Sequence, residues 1–456
     1  MAEEKKLTYK KDSAFDRWDE KMLGAAREYA EGYKKAIDSA KTEREAVVWA
    51  KAYLSSAGYV PYKLGDKICA GGRYYLDNRK KSLYAFCVGK KDISEGVRII
   101  ASHIDSPRLD LKQHPLYEDG GVGYLKTHYY GGVRKYQWAA LPLALHGVIV
   151  RADGTEVNVS LGDEPGDPVF CISDLLPHLA KEQNGKTLGT AFAGEGLNAI
   201  FGSEPMSEGD EKVKENLLRL LNEKYGICEE DFISSELCFV PAQNAVDVGL
   251  DRAMIGAYGH DDFVCAYPAL TSMTASDGNN TIITVLADKE ETGSEGNTGM
   301  QCRLLSDLIE ELAHAFGANP NVVRANSMCV SGDVTAAFDP NYPDVYEKRN
   351  CALLNCGVTM SKYTGSGGKY STNDASAEYV AYLRRIFAER DVLWQIAELG
   401  KVDAGGGGTV AKYISKENID TVDLGVPMLS MHATFELVSK YDLYSAHTAY
   451  LAFVNG

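Results

Sequence analysis

The residues able to do chemistry sit where apolar runs of this 456-residue chain come to an end. Asp288–Gly299 reads DKEETGSEGNTG and places Glu290 beside Glu291, directly after TIITVLA (Thr281–Ala287). That β-branched run predicts a buried strand. Two adjacent carboxylates at its end repel each other wherever water is scarce, and a cation relieves the repulsion. One Glu then serves as a ligand and the other as a general base toward water. Taken alone, the pair reads more readily as a solvated acidic turn. Other donors share the placement: His103 after VRIIAS, Asp105 two residues on, Asp261 at a predicted helix start, Asp333 after SMCVSG, and His432 after VPMLSM. Each has an ordinary structural explanation, as a hydrogen-bonded His, a cap or a turn Asp. Parallel strands, however, bring their carboxyl ends to one edge, where distant residues converge. Two imidazoles with several carboxylates suit zinc, manganese or cobalt. A set of five ligands with one shared carboxylate suits two ions about 3.5–4 Å apart.

The elements needed to position these donors are legible around them. Phe15–Ala40 is amphipathic and predicts a helix. Thr42 and Glu45 form a capping box before a second helix. Ser82–Val88 and Val97–Ser102 predict strands. From Leu109 the texture changes to Gly, Tyr and His with alternating apolar residues. Leu143–Val150, Glu156–Leu161 and Ser235–Val240 predict short strands there, Ser173–Gln183 a helix capped by Ser173, and Glu215–Tyr225 another helix. The α/β pattern resumes near residue 247. Helices are expected from Asp261, over Met300–Phe316 and over Asn373–Arg390. A strand is expected over Thr421–Met431, and a closing helix over Glu436–Phe453. The fold class is therefore α/β, a mixed central sheet flanked by helices. Residues 1–108 and 247–456 form one discontinuous domain, and residues 109–246 an inserted β-rich domain.

Composition narrows the partners. The chain is 45% hydrophobic and 25% charged, with a net charge of −16. That balance argues against nucleic acid and anionic membranes. No apolar stretch reaches spanning length, the polar N-terminus carries no signal-peptide pattern, and ten scattered Cys without a C-x-x-C read as reduced thiols. A cytoplasmic protein is expected. The glycines at 405–408 lack the GK[ST] ending of a phosphate loop and are read as a flexible turn lining the cleft, with Gly406 at its centre. His314 and His447 are read as structural, and His114, His128 and His146 as packing within the inserted domain.

Five stretches together resemble the aspartyl aminopeptidase family of dinuclear zinc exopeptidases, in a bacterial-type form. They are SHIDSPRLDLK (Ser102–Lys112), HDDFVCAYPAL (His260–Leu270), DKEETGSEG, SGDVTAAFDPNY (Ser331–Tyr342) and VPMLSMHATFEL (Val426–Leu437). They occur in the family's order over nearly the whole chain. The resemblance implies that His103 and Asp333 bind one metal ion, that Glu291 and His432 bind the other, and that Asp261 bridges them. It makes Asp105 the partner orienting His103 and Glu290 the general base. It implies peptide substrates with a free N-terminus, an inserted domain used for dimerisation, and assembly of dimers into a dodecamer. It also places a His of that domain in a neighbour's active site, for which His178 is the candidate.

The family's preference for acidic N-terminal residues requires a cation in the side-chain pocket. Ser361–Asn373 occupies the corresponding region and offers Lys362 and Lys369, but its Gly-rich pattern departs from that of acidic-specific members. Two rivals stand beside this reading. One is a dinuclear carboxypeptidase or N-acyl amino-acid deacylase. The other is a non-enzymatic assembly or cargo protein on a peptidase scaffold.

Overall fold

Four apolar runs lie side by side and parallel at the centre of a nine-stranded sheet: Ile282–Ala287, Arg98–His103, Met328–Ser331 and Asp420–Gly425. The structure, a computed structural model, describes residues 7–456. Residues 1–6, which open the polar stretch read above as lacking a signal peptide, lie outside the described residues. Arg98–His103 and Ile282–Ala287 are buried at every position. That is why they read as continuous apolar runs, since helices cover both faces of such a sheet. Ile100 joins a core with helices Glu20–Asp38, Glu43–Ser56, His260–Thr274 and Lys440–Val454. Its neighbours Ile99 and Ala101 join the opposite core with helix Leu304–Ala315. Ser82–Cys87 and Val358–Ser361 pair antiparallel on either side of the parallel group, which makes the sheet mixed.

A second sheet has six strands, all antiparallel and all drawn from residues 108–241, with Ala199–Gly202 at one edge. It has its own core around Leu109, Trp138, Leu145 and Phe239, closed by helix Lys212–Tyr225 through Leu217 and Leu221. Val122–Leu125 alternates between half-buried and buried, as expected of a strand with one solvated face. A small five-stranded sheet carries Met254–Ala257, Glu436–Ser439 and Pro427–Leu429.

Four sequence expectations change. The first helix breaks: Ala14–Arg17 ends at Trp18, and Asp19 caps Glu20–Asp38 by accepting from the Met22 amide at 2.9 Å. Ser173 caps nothing. Pro177 pushes Leu176 into an extended conformation, so only a 3-10 turn, Pro177–Leu179, and a short helix, Lys181–Asn184, form. The Thr421–Met431 run divides between two sheets after Gly425, where the chain passes so close to Asp333 that a Cβ would lie 1.6 Å from its carbonyl oxygen. The last helix begins at Lys440, because Glu436–Ser439 is extended and pairs with Met254–Ala257.

Candidate metal centre

Parallel register delivers the donors to one edge. Ala287 lies beside His103, and Ser331 beside Ala101, so Glu290, His103 and Asp333 all follow strand ends at the same side. Asp261 begins helix His260–Thr274, its backbone still non-helical, and His432 follows the short strand Pro427–Leu429 in a left-handed turn. The structure therefore brings His103, Asp261, Glu291, Asp333 and His432 together. Asp261 lies between the two imidazoles, with Oδ1 3.1 Å from His103 Nε2 and Oδ2 3.2 Å from His432 Nε2. Glu291 Oε1 is 3.5 Å from His432 Nε2, and Asp333 Oδ1 is 3.9 Å from His103 Nε2.

The hydrogen bonds fix the tautomers. His103 Nδ1 is 3.0 Å from the Asp105 carbonyl, and His432 Nδ1 is 3.1 Å from the Gly132 carbonyl. Carbonyls only accept, so each Nδ1 carries hydrogen, and in the neutral form of each ring the Nε2 lone pair faces Asp261. Asp261 Oδ1 and Glu291 Oε1 are buried without a well-aligned donor, despite the close imidazole nitrogens. Lone pairs and orphaned carboxylate oxygens facing one another fit a bound divalent cation better than a proton.

Electrostatics agree with that demand. Burial pushes the Glu291 and Asp333 carboxyls well up, and Asp261 adds to the push on each. Burial raises Glu290 as well, against the pull of His103. Burial would lower His103 and His432, but Asp105 and Asp261 outweigh it for the first, and Asp261 and Glu291 carry the second up to about 10. A bound metal ion would supply the positive charge these carboxylates lack.

Asp105 joins the strand end to the Glu turn. Its Oδ1 accepts from the Glu290 amide at 3.1 Å, and its Oδ2 accepts from the Glu291 amide at 3.2 Å and from the Tyr130 hydroxyl at 2.7 Å. Its carboxylate stands 3.4 Å from His103 Nδ1, farther than its own carbonyl.

These donors sit on a chain matched over residues 36–454 by the model of the aminopeptidase I zinc metalloproteases, M18. The chain belongs to that family. A probable M18 family aminopeptidase 1 from Clostridium acetobutylicum is 47% identical to this M18 chain over 454 residues, covering 97% of it and 98% of the relative. The crystal structure of the Thermotoga maritima M18 aminopeptidase superposes with a TM-score of 0.94 at 42% identity, over 98% of this chain and all of that one. The S. cerevisiae mApe1 dodecamer shares the fold at 22% identity, with a TM-score of 0.76 over 93% of this chain and 96% of that one. The protein is a metallo-aminopeptidase of the M18 family with a mixed α/β fold.

The remaining candidates lie elsewhere. Lys362 and Lys369 both pair with Asp374, at 2.5 and 2.9 Å, and Lys369 also stands 3.6 Å over the Tyr363 ring. Gly406 packs against Gly365, where a Cβ would lie 1.9 Å from that carbonyl oxygen. Ser361 lies opposite Asp423 in an antiparallel pair, so the chain leaves Val358–Ser361 heading away from the edge that carries the donors. His178 is exposed on its short turn. His146 is buried against Glu45 rather than within its own sheet alone.

Glu436, Tyr130 and Gly132 were not expected at the site. The buried Glu436 carboxylate accepts from the His432 amide at 2.7 Å and the Asp261 amide at 3.2 Å, tying two donor segments together. A signal for the other two was present: paired glycines after an aromatic strand mark a close approach. Here a Cβ on Gly132 would stand 3.0 Å from His432 Nδ1.

Proposed function

We propose that this M18 aminopeptidase removes the N-terminal residue from peptides with a free amino terminus, using two divalent ions held by a shared carboxylate. The observation that carries the reading is the division of Asp261 between His103 and His432. In this reading His103 and Asp333 would hold one ion, Glu291 and His432 the other, with Asp261 available to each. Zinc is the ion the family name gives, with manganese or cobalt as substitutes. When bound, the ions supply Lewis acidity to the scissile carbonyl and anchor the free amine, which an internal peptide bond cannot offer.

Glu290 is the general base. Its backbone is fixed by Asp105, and burial keeps its carboxylate basic. It takes one proton as water adds to the carbonyl carbon and returns it to the amide nitrogen as the C–N bond breaks. Tyr130, Gly131 and Thr292 also line a cavity beside the donors, the exit proposed for the shortened peptide.

The proposal includes self-association. Leu175, Leu176, Leu179 and Leu188 are exposed by 44% to 67% on the second sheet's connecting segment, and such a patch favours burial against another copy. His178 lies within it, which supports His178 as the residue that reaches a neighbour's oxyanion. A dodecamer is the assembly proposed, as in mApe1. Ten free cysteines support a cytoplasmic setting. Lys362 and Lys369 are the cations available for an acidic N-terminal side chain, but Asp374 engages both, so at most a weak acidic preference is proposed.

Matched peptides beginning with Asp, Glu, Leu or Lys, each free or N-acetylated, test the activity on protein of counted metal content. Cleavage of the free set alone, with about two ions per chain, is expected. Cleavage of acetylated substrates would establish the deacylase rival, and no cleavage at full metal content the scaffold rival.

A further inference from the structure

Both histidines of the metal centre are oriented by one short segment of the second sheet. Strand Val122–Tyr130 ends at the site, and the next two residues are glycines. The Tyr130 hydroxyl donates to Asp105 Oδ2 at 2.7 Å, and the Asp105 carbonyl in turn accepts from His103 Nδ1 at 3.0 Å. Two residues on, the Gly132 carbonyl accepts from His432 Nδ1 at 3.1 Å. Between them Gly131 adopts a φ of 72°, and a Cβ there would stand 3.2 Å from the Glu291 Cβ. The segment is itself braced. Arg108 stacks on the Tyr130 ring at 4.1 Å and pairs with Glu43 at 3.0 Å on helix Glu43–Ser56 and with Asp110 at 2.7 Å.

We propose that Tyr130–Gly132 is the positioning element of the metal centre. Tyr130 sets the His103 side through Asp105, and Gly132 sets the His432 side through its carbonyl. Metal retention therefore depends on how the six-stranded sheet is seated against the nine-stranded one. Tyr130 is a positioning residue: its hydroxyl is spent on Asp105. This inference rests on the two-ion reading and deepens it. Outer partners of a ligating His commonly govern affinity by about 10- to 100-fold. Tyr130 acts one bond farther out, so the lower end of that range applies.

The test is stepwise zinc release from the full-length holoprotein to a competing chelator, with cobalt absorption spectra of the reloaded protein as a second readout. Tyr130→Phe keeps the ring on Arg108 and removes only the hydroxyl. Gly132→Ala keeps an ordinary backbone conformation but presses a methyl group on His432. Each variant is expected to weaken one release step by about tenfold, the two variants affecting different steps. The cobalt bands should shift in both, with melting in excess chelator unchanged. Unmoved release steps in Tyr130→Phe would overturn the inference, as would the same step moving in both variants. A rise in KM with unchanged zinc release would instead place the Tyr130 hydroxyl on substrate, and also overturns it. Should one variant fail to fold, the other still decides whether its own step moves. A wild-type chain that releases fewer than two ions sinks the two-ion reading itself, an outcome separate from these.

Discussion

The two large sheets divide the labour of the site. In the nine-stranded sheet, buried strands end at one edge and hand over His103, Glu290, Glu291 and Asp333, while Asp261 comes from a helix start and His432 from the small sheet. In the six-stranded sheet, a strand with one solvated face ends against those donors and contributes a phenol and a carbonyl that orient them. Reactive groups come from the sheet whose register is pinned by burial, because a one-residue slip there would expose a whole apolar face. Orientation comes from a sheet with its own core, whose docking can vary without unfolding the first. The contrast predicts that damage to the first sheet's edge abolishes chemistry, whereas damage to the second tunes it.

The largest expected effect lies at that edge. Glu290→Gln should lower kcat by about 10³-fold, within the range for lost general base catalysis, while zinc content stays at the wild-type level. Glu291→Gln should show the reverse emphasis, with zinc lost first. Steady-state kinetics paired with metal analysis reads both. If the phenotypes exchange, the roles of the two carboxylates are reversed.

A smaller effect is expected from the second sheet. His178→Ala should cost about 10²-fold in kcat, the size of one lost oxyanion donor, with zinc content unchanged. If His178 serves a neighbour, mixing His178→Ala with Glu290→Gln subunits under conditions of exchange should recover activity that neither has alone. A mixture no better than its parents would confine each site to its own chain.

Legibility in the sequence follows the same division. Strand ends in the parallel sheet were readable because full burial writes an unbroken apolar run, as in TIITVLA before Glu290. The capping box at Thr42 and Glu45 formed as read, since both of its bonds are local. Boundaries failed where a tertiary contact overrode local pattern. Glu436 looked like a helix start, yet its carboxylate is used to hold the His432 and Asp261 amides, and the chain there is extended. For Tyr130 and Gly132 the paired glycines marked a close approach, but what they approach was not readable, because their partners are 25 and 300 positions away. Lys362 and Lys369 show the converse. Their charge was visible in the sequence, but Asp374, which occupies them, was not recognised as their partner.

The seam between the sheets offers a pH-dependent test of how firmly the second is seated. His146 of the six-stranded sheet lies 2.7 Å from Glu45 on helix Glu43–Ser56 and 2.7 Å from Asp163. Lys35, Asp38 and Glu164 line the same cavity, and Lys41 is buried nearby. Burial would depress this imidazole, but Asp163 and Glu45 carry it up to about 9. A folded value above the unfolded one, about 6.5, stabilises the protonated form. The stabilisation is therefore full below pH about 6.5 and is lost as pH rises toward about 9, amounting to roughly 2 kcal/mol after allowing for the partly exposed carboxylates. Melting temperatures of wild type and His146→Gln should converge from pH 6 to 9.5. Parallel curves would remove His146 from the seam's energetics.

The smallest effect belongs to a region outside the contrast. Lys362 and Lys369 share Asp374 at a partly exposed loop, and such pairs are worth about 0–1 kcal/mol. The double variant Lys362→Met/Lys369→Met should therefore change the ratio of kcat/KM for Asp- and Leu-initiated peptides by no more than about fivefold. Activity on the Leu peptide should be unaltered, because neither lysine shares a hydrogen bond with the donor cluster. A loss confined to the Asp peptide and exceeding about 30-fold would mean that Asp374 gives up a lysine when an acidic side chain arrives. In that case charge in this loop, rather than either sheet, would set the enzyme's choice of N-terminal residue.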